Sequence, residues 1–430
     1  MRQIMIGFFA FLAASSLQAR DLLLTGGKLV DPRTQTVTEQ DLAIRDGRIV
    51  EGAPASDFRG EVIDITGKWV IPGLRDLHTH SMANVGPRGP VEVLGTAATS
   101  RRMLYAGVTG FLDLFNLERF VLPLRDRQRR GKAGAGADIF AAGPCLTAPG
   151  GHCTEYGTPT RVLTSPEDAR REVEALARKN PDVIKIVYEH VDVALRDKTW
   201  RPALPTIDRE TMEAAVQAAN EHGIPTVFHI RSWQDIDDVV AAGASAVTHL
   251  PGFGQVPPGL AERMREQGTF VIPTLSVGDL SFSAHAEMLD RPLPSALTKD
   301  EILEAYRQID PTDEGFRQWQ QTMGESQAAR FTALATLAEA GVRIAAGTDA
   351  GNPGTLLGYS LHHELALMVE QVGLSPWQAL ASSTTEAGEF LGQSYGLAAG
   401  DEGSLVVLDA SPIEDIRNTE SIHLVIHRGT

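Results

Sequence analysis

Six side chains able to hold a metal are spread through the sequence, and none is informative by itself. His78 and His80 end the stretch LRDLHTH, residues 74–80. On a strand, side chains at i and i+2 share a face, so the two imidazoles would point at one spot. Neutral imidazoles suit zinc and related divalent ions. Lys185 lies in the apolar run DVIKIV, His229 ends IPTVFH, His249 ends ASAVTH, and Asp349 lies in AAGTDAG. Each has an ordinary reading: a surface HxH pair, a snorkelling lysine, a satisfied core histidine, a turn aspartate. Lys185 fits its ordinary reading least well, because an unpaired ammonium buried in a strand is costly.

These residues are carried by strand-like segments that alternate with helical ones. LRDLHTH, GVTGFLDLF, ADIFAAGPCL, DVIKIVYEH, IPTVFHI, ASAVTHL, TFVIPTL and VRIAAGTDAG make eight strand candidates. Helical patterns separate most of them. SPEDARREVEALARKN has Ser165 as N-cap, Pro166 at the first position and acidic residues in the first turn. The patterns before Gly223, Gly243 and Gly341 each end on a glycine stop. This order predicts an α/β fold, a (β/α)8 TIM barrel whose chemistry sits at the C-terminal ends of the strands. All six candidates fall at or near such ends.

Two stretches interrupt the alternation, residues 144–160 and 276–324, and both are expected over the barrel mouth. Residues 21–72 instead read as short strands with Gly and Asp-Gly turns, RDGR among them, and GDEGSLVVLDASP and IHLVIHRGT continue that character. The expected organisation is a small composite β-sandwich domain built from both termini (20–72 plus 396–430) around a metal-binding barrel (73–395).

The 430 residues carry a net charge of -16, which argues against nucleic acid and anionic membrane surfaces as partners. Arg2, an apolar run of 11 residues at 4–14, and a small residue at Ala19 read as a signal peptide, residues 1–19. It is too short for a membrane span. The mature chain is expected to start near Arg20 and to be exported, periplasmic or secreted, with no membrane insertion after cleavage. Cys145 and Cys153 are the two cysteines. Export permits a disulfide between them, and two free thiols in a crowded loop are the alternative.

Together the motifs resemble the metal-dependent amidohydrolase superfamily, and within it the imidazolonepropionase-like and prolidase-like (Xaa-dipeptidase) branch. VIPGLRDLHTH resembles the first-strand motif, with Arg75 where an apolar residue is usual. DVIKI, the His229–His249 spacing, AAGTDAG and GLAAGDEGSLVVLDASP resemble four further motifs, the last departing at Gly403 and Ser404. The resemblance implies a binuclear site. His78, His80 and Asp349 would hold one zinc, and His229 and His249 the other. Lys185, carboxylated by CO2, would bridge the two as a carbamate. Burial lowers a lysine's pKa, so its neutral amine can react with CO2. The alternative is a mononuclear site with Lys185 structural.

The implied reaction is hydrolysis of an amide C–N bond, in a dipeptide or N-acyl amino acid, by attack of a metal-bridging hydroxide, with Asp349 moving the proton. His152, in PGGHC, resembles a loop histidine that contacts the substrate carbonyl. Arg231, two residues past His229, is a candidate carboxylate clamp, and Tyr188 a candidate mouth-lining residue. In relatives the Arg231 position is often His or Tyr, and the usual glycine-rich run after the fourth-strand lysine is replaced here by VYEHVDVALRD. The partner is thus a small-molecule substrate, with a homo-oligomer left open. A cyclic-amide or lactone hydrolase and a non-catalytic binding protein on the same fold are the rival readings.

Overall fold

The computed structural model describes residues 20–51, 58–87, 89–190, 203–279, 288–310 and 312–430. The expected signal peptide lies outside the described residues, as do 280–287 and 311 of the second expected mouth insertion and 191–197 of the VYEHVDVALRD stretch. Among the described residues, no helix is long and apolar enough to cross a membrane.

Seven of the eight expected strands form: β1 Leu74–Thr79, β2 Val108–Asp113, β3 Asp138–Ala141, β4 Ile184–Val187, β5 Thr226–His229, β6 Ala246–Thr248 and β7 Phe270–Ile272. All their residues are buried, as in strands covered on both faces, and most are apolar, β1 being the exception with Arg75, Asp76 and His78. All neighbouring pairs are parallel, in two sheets: β3-β2-β1, and a second ending β4-β5-β6-β7. Helices pack on the outside. Helix Pro166–Ala177 starts as expected, with Ser165 accepting the Asp168 N–H. Ser232 and Asp235 form a reciprocal capping box on helix Trp233–Ala241. Strands with helices outside them make a TIM-barrel-like α/β fold.

Two expectations are corrected. VRIAAGTDAG does not form a regular strand. Its segment makes isolated parallel bridges, Ile344 to Val271 and Ala350 to Thr79. Between them, the Ala346 N–H donates to Ser382 O, and the Thr348 N–H donates to Asp76 Oδ1, away from the ladder. Gly347 is required here, because a Cβ would lie 2.9 Å from the His78 nitrogen and 2.4 Å from an Ile272 methyl. The loop after β3 is also more ordered than its Gly/Pro content implies. Leu146–Thr147 pairs in parallel with both β4 and Arg161–Val162, placing a short strand between β3 and β4. Cys145 and Cys153 are disulfide-bonded across this loop.

The mouth insertion also differs. Its second helical pattern continues through Gly324 into the next expected helix, giving one helix, Glu314–Glu339, of 26 residues. A single glycine costs about 1 kcal/mol in a helix, too little to break one packed along its length.

Strands from both termini share one core, in which Leu24, Ile44, Val70, Leu405 and Ile426 meet. They form two sheets, Arg48–Val50/Leu42–Arg45/Leu22–Thr25/Glu61–Asp64 and Ile422–Ile426/Leu405–Leu408/Trp69–Pro72/Lys28–Asp31/Thr36–Glu39. The RDGR turn has Asp46 and Gly47 at φ 49 and 73, the type I′ geometry expected of it.

Polar residues gather where these sheets meet the N-terminal strand ends. Arg75, fully buried, stacks 3.6 Å from the Tyr395 ring centroid and reaches Gln393 and Glu402. Asp138 is bound by Arg428 at 2.6 Å and lies 3.4 Å from His427 Nε2. Burial pushes the Asp138 carboxyl up, but His427, Arg428 and Arg75 hold it below the usual range.

Candidate metal centre

At the opposite, C-terminal ends of the strands, the expected ligands converge. Asp76, His78 and His80 alternate on β1 and the residue after it, so all three point to the barrel interior. Asp349 Oδ1 lies 3.2 Å from His78 Nε2 and 2.8 Å from His80 Nε2. Ligand atoms around one tetrahedral ion with bonds of about 2.0–2.1 Å sit roughly 3.3 Å apart, so this spacing fits a shared ion. His78, His249 and Asp349 offer ligand atoms that all lie within 4.8 Å of one another. His249 is therefore nearer the His78–Asp349 group than a clean three-and-two division implies. The His229 ring stands 4.6 Å from that of His249.

Neighbouring hydroxyls fix the imidazoles. His78 Nδ1 is 2.6 Å from Thr248 Oγ1, and His249 Nδ1 is 2.7 Å from Thr274 Oγ1. Each ring thereby has one nitrogen engaged behind it and the other directed to the centre. His249, Thr274 and Asp349, after β6, after β7 and in the eighth segment, have φ of 72, 51 and 59, left-handed conformations. Glu364, on helix Ser360–Glu370, accepts the N–H groups of Leu275 and Ser276 and so braces the turn that carries Thr274.

The electrostatics suit a metal. Lys185 is buried, and its Nζ has no hydrogen-bond partner. Burial lowers its pKa to about 7, against the opposing pull of Asp349. Burial lowers His78 to about 3 and takes His249 well down, so both imidazoles are neutral ligands. Burial raises the Asp349 carboxyl, but His78 and His80 draw it well below its usual range. A cation would meet imidazoles already neutral and a carboxylate already ionised, and the buried Lys185 amine is where a CO2-derived carbamate would form. The donor set fits the metal chemistry expected of it.

The remaining candidates divide. His152 is brought to the site, its ring 4.5 Å from that of His229 and its Nδ1 2.6 Å from Glu155. The Arg231 N–H donates to Asp235, and its guanidinium is close enough to Arg330 to act with burial in lowering that residue to about 10. Tyr188 is a correction. Three positions past Lys185 it faces the helix layer, where its hydroxyl donates to Asp238 at 3.0 Å, so it does not line the mouth. Four residues were missed: Glu189, Thr248, Thr274 and Glu364. Glu189 had a signal, being four past Lys185 and on its face; the others acquire a role only through folding.

A parallel α/β fold with histidines, a lysine and an aspartate gathered at its C-terminal strand ends defines a metal-dependent hydrolase class. The amidohydrolase family matches residues 69–430, and the chain belongs to it. An uncharacterised protein of Mycobacterium tuberculosis is 25% identical over 91% of this chain and 92% of its own length. A putative prolidase from Bifidobacterium longum superposes with a TM-score of 0.72 at 25% identity, covering 96% of this chain and 94% of that one. A prolidase solved with N-methylphosphonate-L-proline gives 0.70 at 26% identity, covering 95% and 98%. These likenesses agree with hydrolysis of carbon–nitrogen bonds.

Proposed function

We propose that the chain is an exported binuclear hydrolase that cleaves the amide bond of a dipeptide or an N-acyl amino acid. The convergence of His78, His80 and Asp349 on one point, beside the orphaned Lys185 amine, carries this reading. When bound, a zinc pair would activate the attacking water and polarise the scissile carbonyl. His78, His80 and Asp349 would hold one ion, and His229 and His249 the other. Lys185 would supply an anionic oxygen ligand as the carbamate that its neutral amine forms with CO2 on loss of one proton. Asp349 accepts the proton of the attacking water and returns it to the leaving nitrogen. His152 faces the substrate carbonyl.

Arg231 and Arg330 favour a substrate with a free carboxylate. Arg330 donates to neutral acceptors, Leu250 O and Gln327 Oε1. A carboxylate between two guanidiniums relieves their mutual repulsion. The residues divide into a composite β-sandwich domain (20–72 plus 396–430) and a barrel (73–395), a division the shared two-terminus core supports. The Cys145–Cys153 disulfide supports export, since such bonds persist in oxidising compartments.

The test is a screen of dipeptides and N-acyl amino acids with the zinc-loaded protein, reading free amino acid. Release from a subset, with KM raised in Arg231→Ala, is expected. Turnover of cyclic amides or lactones and of no linear amide would replace the reading.

A further inference from the structure

Arg330 is a cation that the described residues leave without an anion. It is carried by the helix Glu314–Glu339 and is partly buried. Its Nε donates to Leu250 O at 3.1 Å and its Nη1 to Gln327 Oε1 at 3.3 Å, both neutral acceptors. Gln327 is itself fixed, donating through Nε2 to Leu275 O at 2.8 Å. Among the described residues no carboxylate pairs with Arg330, and its Nη2 makes no hydrogen bond. Asp279, close by in the chain to the turn it rests on, faces His363 Nε2 at 2.8 Å instead. The neighbouring charge that acts on Arg330 is that of a second cation, Arg231. The chain has 55 acidic residues against 39 basic ones, so an arginine left to neutral acceptors is not short of candidates but set apart from them.

The position suits a substrate contact. Leu250 follows the expected ligand His249, and Leu275 follows Thr274, whose hydroxyl holds that histidine. The guanidinium is therefore tied to the C-terminal ends of β6 and β7. Gly278 lets it lie there, because a Cβ at that position would be 2.6 Å from Arg330 Nη1. The bonds at Nε and Nη1 fix the plane of the guanidinium, and the Nη2 N–H groups are left for a guest. A carboxylate is the acceptor that answers both the N–H groups and the charge.

Arg231 follows β5, whereas Arg330 comes from a helix and rests against β6 and β7. One carboxylate near both cations eases their repulsion, but Arg330, with no acid of its own, is matched by a second. An amino acid with an acidic side chain carries two on one small molecule. We propose that Arg330 is a specificity-determining residue that binds the side-chain carboxylate of a substrate whose leaving amino acid is aspartate or glutamate, with the α-carboxylate at Arg231. The inference rests on the amide-hydrolase reading above.

The zinc-loaded chain is assayed on N-acetyl and alanyl derivatives of L-aspartate and L-glutamate, and on those of L-asparagine and L-glutamine. The better acidic derivative should exceed its own amide in kcat/KM by roughly 10–100-fold, the range for hydrogen bonds to a charged group. Arg330→Gln should bring that ratio to near unity through loss on the acidic substrate, and Arg330→Lys should restore part of it. Product binding gives a readout that needs no variant: free L-aspartate or L-glutamate should inhibit the wild type at lower concentration than the matching amide. Equal kcat/KM and equal inhibition by acid and amide overturn the inference and leave the amide-hydrolase reading in place. So does an acid preference that survives in Arg330→Gln, or turnover confined to linear amides of other amino acids. A chain that cleaves no linear amide overturns both.

Discussion

The two ends of the parallel strands are built from similar residues and treated in opposite ways. At the N-terminal ends, Arg75, Asp138, Glu402, His427 and Arg428 close on one another, and Ser404 Oγ completes the chain at 3.0 Å from His427 Nδ1. These charges are consumed in holding the strands to the sheets of the two termini. At the C-terminal ends, buried atoms of Lys185, Glu189 and His80 have no hydrogen-bond partner. Dense charge pairing at one end, where Arg75 Nε alone of the named groups is left without a hydrogen-bond partner, and several orphaned groups at the other separate what holds the fold from what is kept for a guest. An acidic cluster exists at both ends, yet Arg428 and Arg75 already neutralise the lower one.

This contrast can be broken most severely at the upper end. Asp349→Asn should fold and lose hydrolysis by a factor on the order of 10²–10⁴, because the amide cannot accept the water's proton. A variant that stays active on the true substrate removes Asp349 from proton transfer. Lys185→Ala should lose bound metal and recover part of its activity with added short carboxylates, which supply the missing anionic oxygen. Unchanged metal content argues against a bridging carbamate.

At the lower end the expectation reverses. Arg75→Ala should destabilise the protein by about 3–5 kcal/mol in chemical denaturation, since Glu402 and the Tyr395 face lose their buried partner. Turnover per folded molecule should stay within a factor of about two. A large loss of turnover with little loss of stability would show that the two ends are not separable.

The smallest effect concerns pH. Burial pushes Glu364 up to about 8, more than the Leu275 and Ser276 N–H donors pull it down. The folded state then binds more protons than the unfolded one between about pH 4.5 and 8. Its contribution to stability is fullest below that window and declines as pH rises through it. Glu364→Gln should remove this slope, whatever its constant offset, in thermal midpoints of the metal-free protein. An unaltered slope would place the titration elsewhere.

Much of this was legible because strand periodicity and ligand type coincide. LRDLHTH had to present His78 and His80 together, and DVIKIV had to bury Lys185. What escaped depended on partners distant in sequence. The eighth segment reads as a strand by composition, but Thr348 is claimed by Asp76, 272 positions earlier, and Ala346 by Ser382. Tyr188 looked like a mouth residue because it follows Lys185 closely, but its position in the alternation sends it outward. Glu189 was hidden in the stretch that departs from the expected glycine-rich run, and that departure was its signal.

The left-handed backbones at His249, Thr274 and Asp349 bear on how this protein can be improved. Thr274 is β-branched, so its φ of 51 is the least comfortable of the three. Such conformations cost on the order of 1–3 kcal/mol each. Asparagine or glycine at Thr274 would relax the chain, yet either would remove the hydroxyl that orients His249. Thermostabilisation guided by backbone comfort would therefore select substitutions here first, and activity would be lost where stability is gained. Variants for heat tolerance are better sought in the exposed helix faces, with these three positions held fixed.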